Sequence, residues 1–124
     1  MGLFVNLLVV QGSDHNRITG NVVTGSGEVG IGIGGDDNLI AGNRADGNVN
    51  GISFYGDRTQ IVDNLITNTI GCDDGCGAGI DGSGGADGVI EGNRIIGTRL
   101  EGIRLNEFQA VGGIRACCGG PTTA

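Results

Sequence analysis

Lysine and tryptophan are absent, proline occurs once, and one tyrosine and three phenylalanines are the only aromatic residues in 124. Each scarcity removes a class. Without lysine, and with a net charge of −7, the chain has no basic footprint of the kind a phosphate backbone requires. The single proline excludes collagen, although 28 residues are glycine. No run of 18 apolar residues occurs, so no stretch reads as a membrane-spanning helix. The apolar start, Met1 to Val10, lacks a basic n-region and a small-residue cleavage site, so it does not read as an export signal. Either the chain is cytoplasmic or its true start lies elsewhere.

What is abundant is valine, leucine, isoleucine, glycine, asparagine and aspartate, with ten Asp against four Glu. That apolar content excludes a polar disordered tail. Asp, Asn and Gly are turn residues, so the acidity reads as a by-product of many turns, with an anion-repelling or cation-binding role as the alternative. The chain is long enough for one domain.

The turns recur. Ile-x-(Gly/Asp)-Asn appears at Ile18–Asn21, Ile40–Asn43, Ile61–Asn64 and Ile90–Asn93, with Asn spacings of 22, 21 and 29. Two residues past each Asn stand Val23, Ala45, Ile66 and Ile95. A second signature follows at Gly30-Ile31, Gly51-Ile52, Gly79-Ile80 and Gly102-Ile103. Apolar residues two apart are a strand pattern. Strands this short cannot bury an apolar side alone, but stacked repeats can. The expectation is a parallel β-helix, an all-β solenoid of about four to five coils of about 22 residues. Ile18, Ile40, Ile61 and Ile90 should form one interior column, and Ile31, Ile52, Ile80 and Ile103 another. The Asn column should bond along the axis, as in cross-β ladders. Coils are expected at 14–35, 36–56, 57–84 and 85–107. Residues 1–13 read as the end of a preceding coil and 108–124 as an irregular tail, the whole as one domain of a longer solenoid with ends prone to self-association. The surplus of the third coil is a loop extruded between Thr69 and Ala78.

These in-register copies resemble the right-handed parallel β-helix repeat family, the pectin-lyase-like superfold, over residues 14–105. That superfold hosts polysaccharide lyases, glycosidases, uronan epimerases, tailspikes and adhesins, so the resemblance implies a fold and a carbohydrate context but no single activity. Its enzyme motifs are poorly kept: Ser13-Asp14-His15-Asn16 retains only an Asp and a His of the epimerase type, and the Asp36-Asp37 pair has no following His as in polygalacturonases.

The register brings the chain's one His, paired acids and an Arg into adjacent columns. His15, Asp37, Arg58 and Asp87 occupy one; Asp14, Asp36, Asp57 and Ala86 occupy the position before. Three readings stay open. His15, Asp37 and Arg58 supply the base, acid and carboxylate-neutralising group that chemistry at a uronic acid needs. Asp14, Asp36 and Asp57 form a candidate cation site, with calcium the cofactor. Or the columns are turn residues. On the outward strips, Tyr55 and Arg104 are candidate polysaccharide contacts beside the low Gly32 and Ser53. Cys72 and Cys76 are spaced for a small disulfide, which would favour export; reduced thiols or a metal are the alternatives, and Cys117-Cys118 is poor geometry for zinc. Gly30-x-Gly32-x-x-Gly35 matches a dinucleotide fingerprint but opens no helix. Gly82–Val89 approaches a calcium nonapeptide without a tandem copy. Two functions remain: a non-catalytic or weakly carbohydrate-interacting module of a surface or secreted protein, or a lyase- or epimerase-like enzyme acting on acidic polysaccharide.

Overall fold

A computed structural model describes residues 4–5, 8–10, 12–73, 75–83, 85–106 and 114–116. Among the described residues fifteen short strands follow one another. The first two are β1 (Phe4–Val5) and β2 (Leu8–Val10). Then come β3 (Arg17–Thr19), β4 (Val22–Thr24) and β5 (Val29–Gly34). The next coil holds β6 (Leu39–Ala41), β7 (Arg44–Asp46) and β8 (Asn50–Tyr55). It is followed by β9 (Gln60–Val62), β10 (Leu65–Thr67) and β11 (Ile80–Ser83). The last full coil is β12 (Gly88–Glu91), β13 (Arg94–Ile96) and β14 (Ile103–Asn106). Finally β15 (Ile114–Ala116) pairs parallel with β12, with Ala116 opposite Ile90. The tail expected to be irregular therefore contains a strand in register: Ile114-Arg115-Ala116 keeps the β-prone, short-strand pattern that the missing Asn signature hid.

Every third strand pairs in parallel, giving three five-stranded sheets ordered β1-β4-β7-β10-β13, β2-β5-β8-β11-β14 and β3-β6-β9-β12-β15. The chain thus winds as a three-sided solenoid, each coil adding one strand to each wall. Among the described residues there is no helix, and none long and apolar enough to cross a membrane.

The register builds the core. Ile18, Ile40, Ile61 and Ile90 are direct partners along one wall. Ile31, Ile52, Ile80 and Ile103 stack along the second. Val23, Ala45, Ile66 and Ile95 stack along the third. All of these are buried in one cluster, and each fully buried Ile contributes roughly 1.5–3 kcal/mol of transfer free energy. The Gly-Ile signature has a steric origin. A Cβ on Gly51 would strike the carbonyl of Gly79 on the next coil and lie 2.6 Å from Ile66 Cγ2. There the chain passes so close to its neighbours that only a hydrogen fits.

The corners carry a second regularity. Asn43 Oδ1 accepts the backbone N–H of Asn21 at 2.9 Å and its side-chain amide at 3.0 Å. Asn64 does the same for Asn43, and Asn93 for Asn64. Each of Asn43, Asn64 and Asn93 also donates to an Ile carbonyl of the preceding coil, Ile18, Ile40 and Ile61 respectively. The other two corners repeat the device with Asn16 on Asn38 and Ser26 on Asn48. Both of those ladders reach a threonine, Thr59 and Thr69, whose buried hydroxyl has no partner.

Two outcomes follow. Ile61→Ala should lower the unfolding free energy by about 2–5 kcal/mol, and Ile61→Asp should abolish folding because it buries an unpaired charge; a soluble, fully β-sheet Ile61→Asp protein by circular dichroism would contradict this packing. Asn64→Ala strands an amide N–H, a side-chain amide and the Ile40 carbonyl at once. Since each unpaired group costs about 1–3 kcal/mol, denaturant titration should show a loss at least as large as that of Ile61→Ala.

Candidate functional site

His15, Asp37, Arg58 and Asp87 all have left-handed backbone, with φ of 60°, 57°, 54° and 57°. They form the corner at which the chain leaves the β5–β8–β11 wall for β6, β9 and β12, immediately before the ladder positions Asn16, Asn38 and Thr59. The same grammar, one left-handed residue and then a buried ladder residue, sets the other corners: Gly42 precedes Asn43, Asp63 precedes Asn64, and Gly47 precedes Asn48. For His, Asp and Arg this conformation is uncommon. Here stacking enforces it: the N–H groups of His15, Asp37 and Arg58 donate to the carbonyls of Asp36, Asp57 and Ala86, one coil further on.

The structure does bring the three candidate catalytic side chains together. Arg58 Nε donates to Asp37 Oδ1 at 2.6 Å and Nη2 to Oδ2 at 3.1 Å, a two-pronged pair. His15 Nε2 lies 3.6 Å from Asp37 Oδ2. The Arg58 hydrogen bonds hold the Asp37 carboxyl below its ordinary range, and the same contact raises the pKa of Arg58. The cluster lies open to solvent, with the His15 side chain 78% exposed. Arg58 is neutralised by its own neighbour, and also lies 3.9 Å from Asp36 Oδ2.

The column of Asp14, Asp36 and Asp57 is a further ladder. Asp14 Oδ1 accepts the N–H of Asp36 at 2.7 Å, Asp36 Oδ1 that of Asp57 at 2.7 Å, and Asp57 Oδ1 that of Ala86 at 2.9 Å. Each carboxylate thus has one oxygen committed to the backbone of the next coil. Among the described residues no group of three or more His, Cys, Asp or Glu side chains is arranged to hold a metal ion.

Tyr55 and Arg104 are not brought together. Arg104 stacks on Asp81 and Ser53, two coils on from Ser53 and two residues offset from Tyr55. Tyr55, 45% exposed, lays its ring over Gly34, where a Cβ would strike it. Arg104 is engaged: Nη2 lies 2.8 Å from Asp81 Oδ2, and Nη1 donates to the Gly75 carbonyl at 2.7 Å. Cys72 and Cys76 are joined by a disulfide, their Cα atoms 5.2 Å apart; Cys117 and Cys118 lie outside the described residues.

Reasoning from sequence missed Asn50. Its Oδ1 accepts the N–H groups of Gly77 and Ala78 at 2.8 and 3.0 Å and fastens the foot of the extruded loop. The signal was faint, since nothing in an Asn-Gly dipeptide distinguishes a loop anchor from a turn. Asp46, which accepts from the Thr67 hydroxyl and the Asn68 amide, was likewise not singled out; these bonds hold its carboxyl below the ordinary range.

Three parallel walls wound about a single apolar core, with amide ladders at the corners, define a parallel β-helix. A family model described as the right handed beta helix region matches residues 6–117. The chain belongs to that family. No curated protein and no solved structure matches it.

The depressed carboxyls give a pH dependence. A carboxylate whose folded pKa is lowered contributes stability that is present above its unfolded pKa, about 4, and is lost as pH falls through the folded value. Asp37→Asn should therefore lower the urea midpoint at pH 7. The difference from wild type should shrink below about pH 4 and vanish once both forms of the site are neutral. A difference independent of pH would show that the pair does not act through charge.

Proposed function

We propose that this chain is a non-catalytic β-helix module of a surface or secreted protein, with at most weak carbohydrate contact. The observation that carries this reading is that the polar corner bonds to itself and to the backbone of the next coil. Asp37 has both oxygens bonded to Arg58, and Asp14, Asp36 and Asp57 each give an oxygen to the backbone of the next coil. A uronate would have to displace Asp37 from Arg58 to be neutralised, on a protein that carries a net charge of −7. The Cys72–Cys76 disulfide supports an oxidising compartment, since such bonds persist outside the cytosol. Among the described residues the exposed aromatic ring is Tyr55, over the Gly34 strip, and it is the place a sugar ring would stack weakly.

The competing reading, an enzyme acting on acidic polysaccharide, draws on the 3.6 Å approach of His15 to Asp37. Incubation with alginate, pectin and polygalacturonate separates the two. Product ultraviolet absorbance, reducing-end assay and proton NMR should show no cleavage, elimination or epimerisation, and calcium should leave the melting temperature unchanged. Turnover that disappears in both folded His15→Ala and folded Arg58→Ala would overturn the non-catalytic reading. A calcium-dependent rise in melting temperature would establish the Asp14, Asp36 and Asp57 column as a cation site by mass action.

A further inference from the structure

The extruded loop of the third coil does more than leave the stack. It turns back and grips the coil that follows. The Gly77 carbonyl accepts the N–H of Leu100 at 3.1 Å. The Gly75 carbonyl accepts Arg104 Nη1 at 2.7 Å, on the strand β14 of that coil. Asp73 Oδ1 lies 3.4 Å from Arg99 Nη2. The fit at the foot of the loop is close: a Cβ on Gly77 would lie 3.0 Å from Arg99 Cβ and 3.1 Å from Gly71 Cα. From behind, Asn50 of the second coil fastens Gly77 and Ala78. The loop therefore bridges three coils, and its shape is fixed by one covalent bond, Cys72–Cys76, with Cys72 N–H donating to the Cys76 carbonyl at 3.2 Å across the ring.

We propose that the Cys72–Cys76 loop is a redox-sensitive clasp that holds residues 94–106 of the last full coil against the coil before it. The inner walls of that coil are secured by Ile95 and Ile103 in the core. Its outer link, Thr98 to Glu101, contains no strand; the clasp meets it at Arg99 and Leu100, and the Gly79 N–H holds its far end through the Glu101 carbonyl at 3.1 Å. A dithiol reductant delivers two electrons and two protons to the disulfide, leaving two thiols and the reductant's own cyclic disulfide. The closed ring then becomes a glycine-containing loop free to sample many shapes; the Gly75 carbonyl inside it is no longer held at Arg104, and Gly77, left with Asn50 as its anchor, holds Leu100 less firmly. Arg104 keeps Asp81, so the coil loosens locally while the solenoid stays folded.

The experiment is amide hydrogen exchange resolved by residue on the full chain, oxidised and treated with a dithiol, for wild type and Cys72→Ser/Cys76→Ser. Mass spectrometry reports the state of the bond in each sample. Reduction of wild type should accelerate exchange at Leu100 by at least about tenfold, the scale expected when a short covalent loop is opened. The core amides Ile40 and Ile61 should be unchanged. The double variant, which retains Cys117 and Cys118, should exchange fast at Leu100 with or without reductant. Arg104→Gln, which leaves the disulfide intact, should reproduce part of the acceleration. The proposal is overturned if the bond is absent from the oxidised protein, or if its reduction leaves Leu100 unchanged. It is equally overturned if reductant still acts on the double variant, or if protection is lost everywhere at once.

Discussion

The structure depends on one interaction: a side-chain oxygen at each corner accepting the backbone N–H one coil away. A turn breaks the strand ladder and leaves amides facing a protein interior, where an unpaired group is costly. In this chain Asn43, Asn64 and Asn93 close that gap on one corner, with Asn38 and Asn48 on the other two. Asp14, Asp36 and Asp57 do so from outside, and their oxygens point the opposite way along the axis, accepting from the following coil where Asn accepts from the preceding one. The walls can then be as short as three residues, because the corners are as well bonded as the strands. Apolar stacking supplies the drive to collapse; the corner bonds fix the register in which it happens.

That division explains what was legible in the amino-acid order. The three apolar columns were readable because a strand has a period of two and each coil repeats it: Ile18 to Ile90, Ile31 to Ile103 and Val23 to Ile95 each fall in register. The Asn21–Asn93 ladder was readable because its residue type never varies. The other two ladders were not. Their columns run Asn16, Asn38, Thr59 on one corner and Ser26, Asn48, Thr69 on the other, so no single letter runs through either. The strand Ile114–Ala116 was hidden for the same reason, since no Asn signature follows it.

The polar column is the instructive case. His15, Asp37, Arg58 and Asp87 share a left-handed φ near 55–60°, a conformation for which sequence offers glycine or asparagine as its usual sign. Asp37, Asp87 and His15 are types that tolerate it less readily than those two, and Arg58 gives no such sign. Their common property is positional. Side chains placed one strand spacing apart then meet: Arg58 bonds Asp37 and His15 comes within 3.6 Å of it because the fold stacks them. Their proximity is a consequence of the corner, and a chemical role needs evidence beyond proximity.

The most direct test of the account is NMR detection of scalar coupling across hydrogen bonds. The backbone amide nitrogens of Asn21, Asn43 and Asn64 should each show a correlation to the side-chain Cγ of the Asn one coil further on, at positions 43, 64 and 93. Correlations from those amides to backbone carbonyls instead, or rapid exchange of all three with solvent, would contradict the claim that side-chain ladders hold the corners.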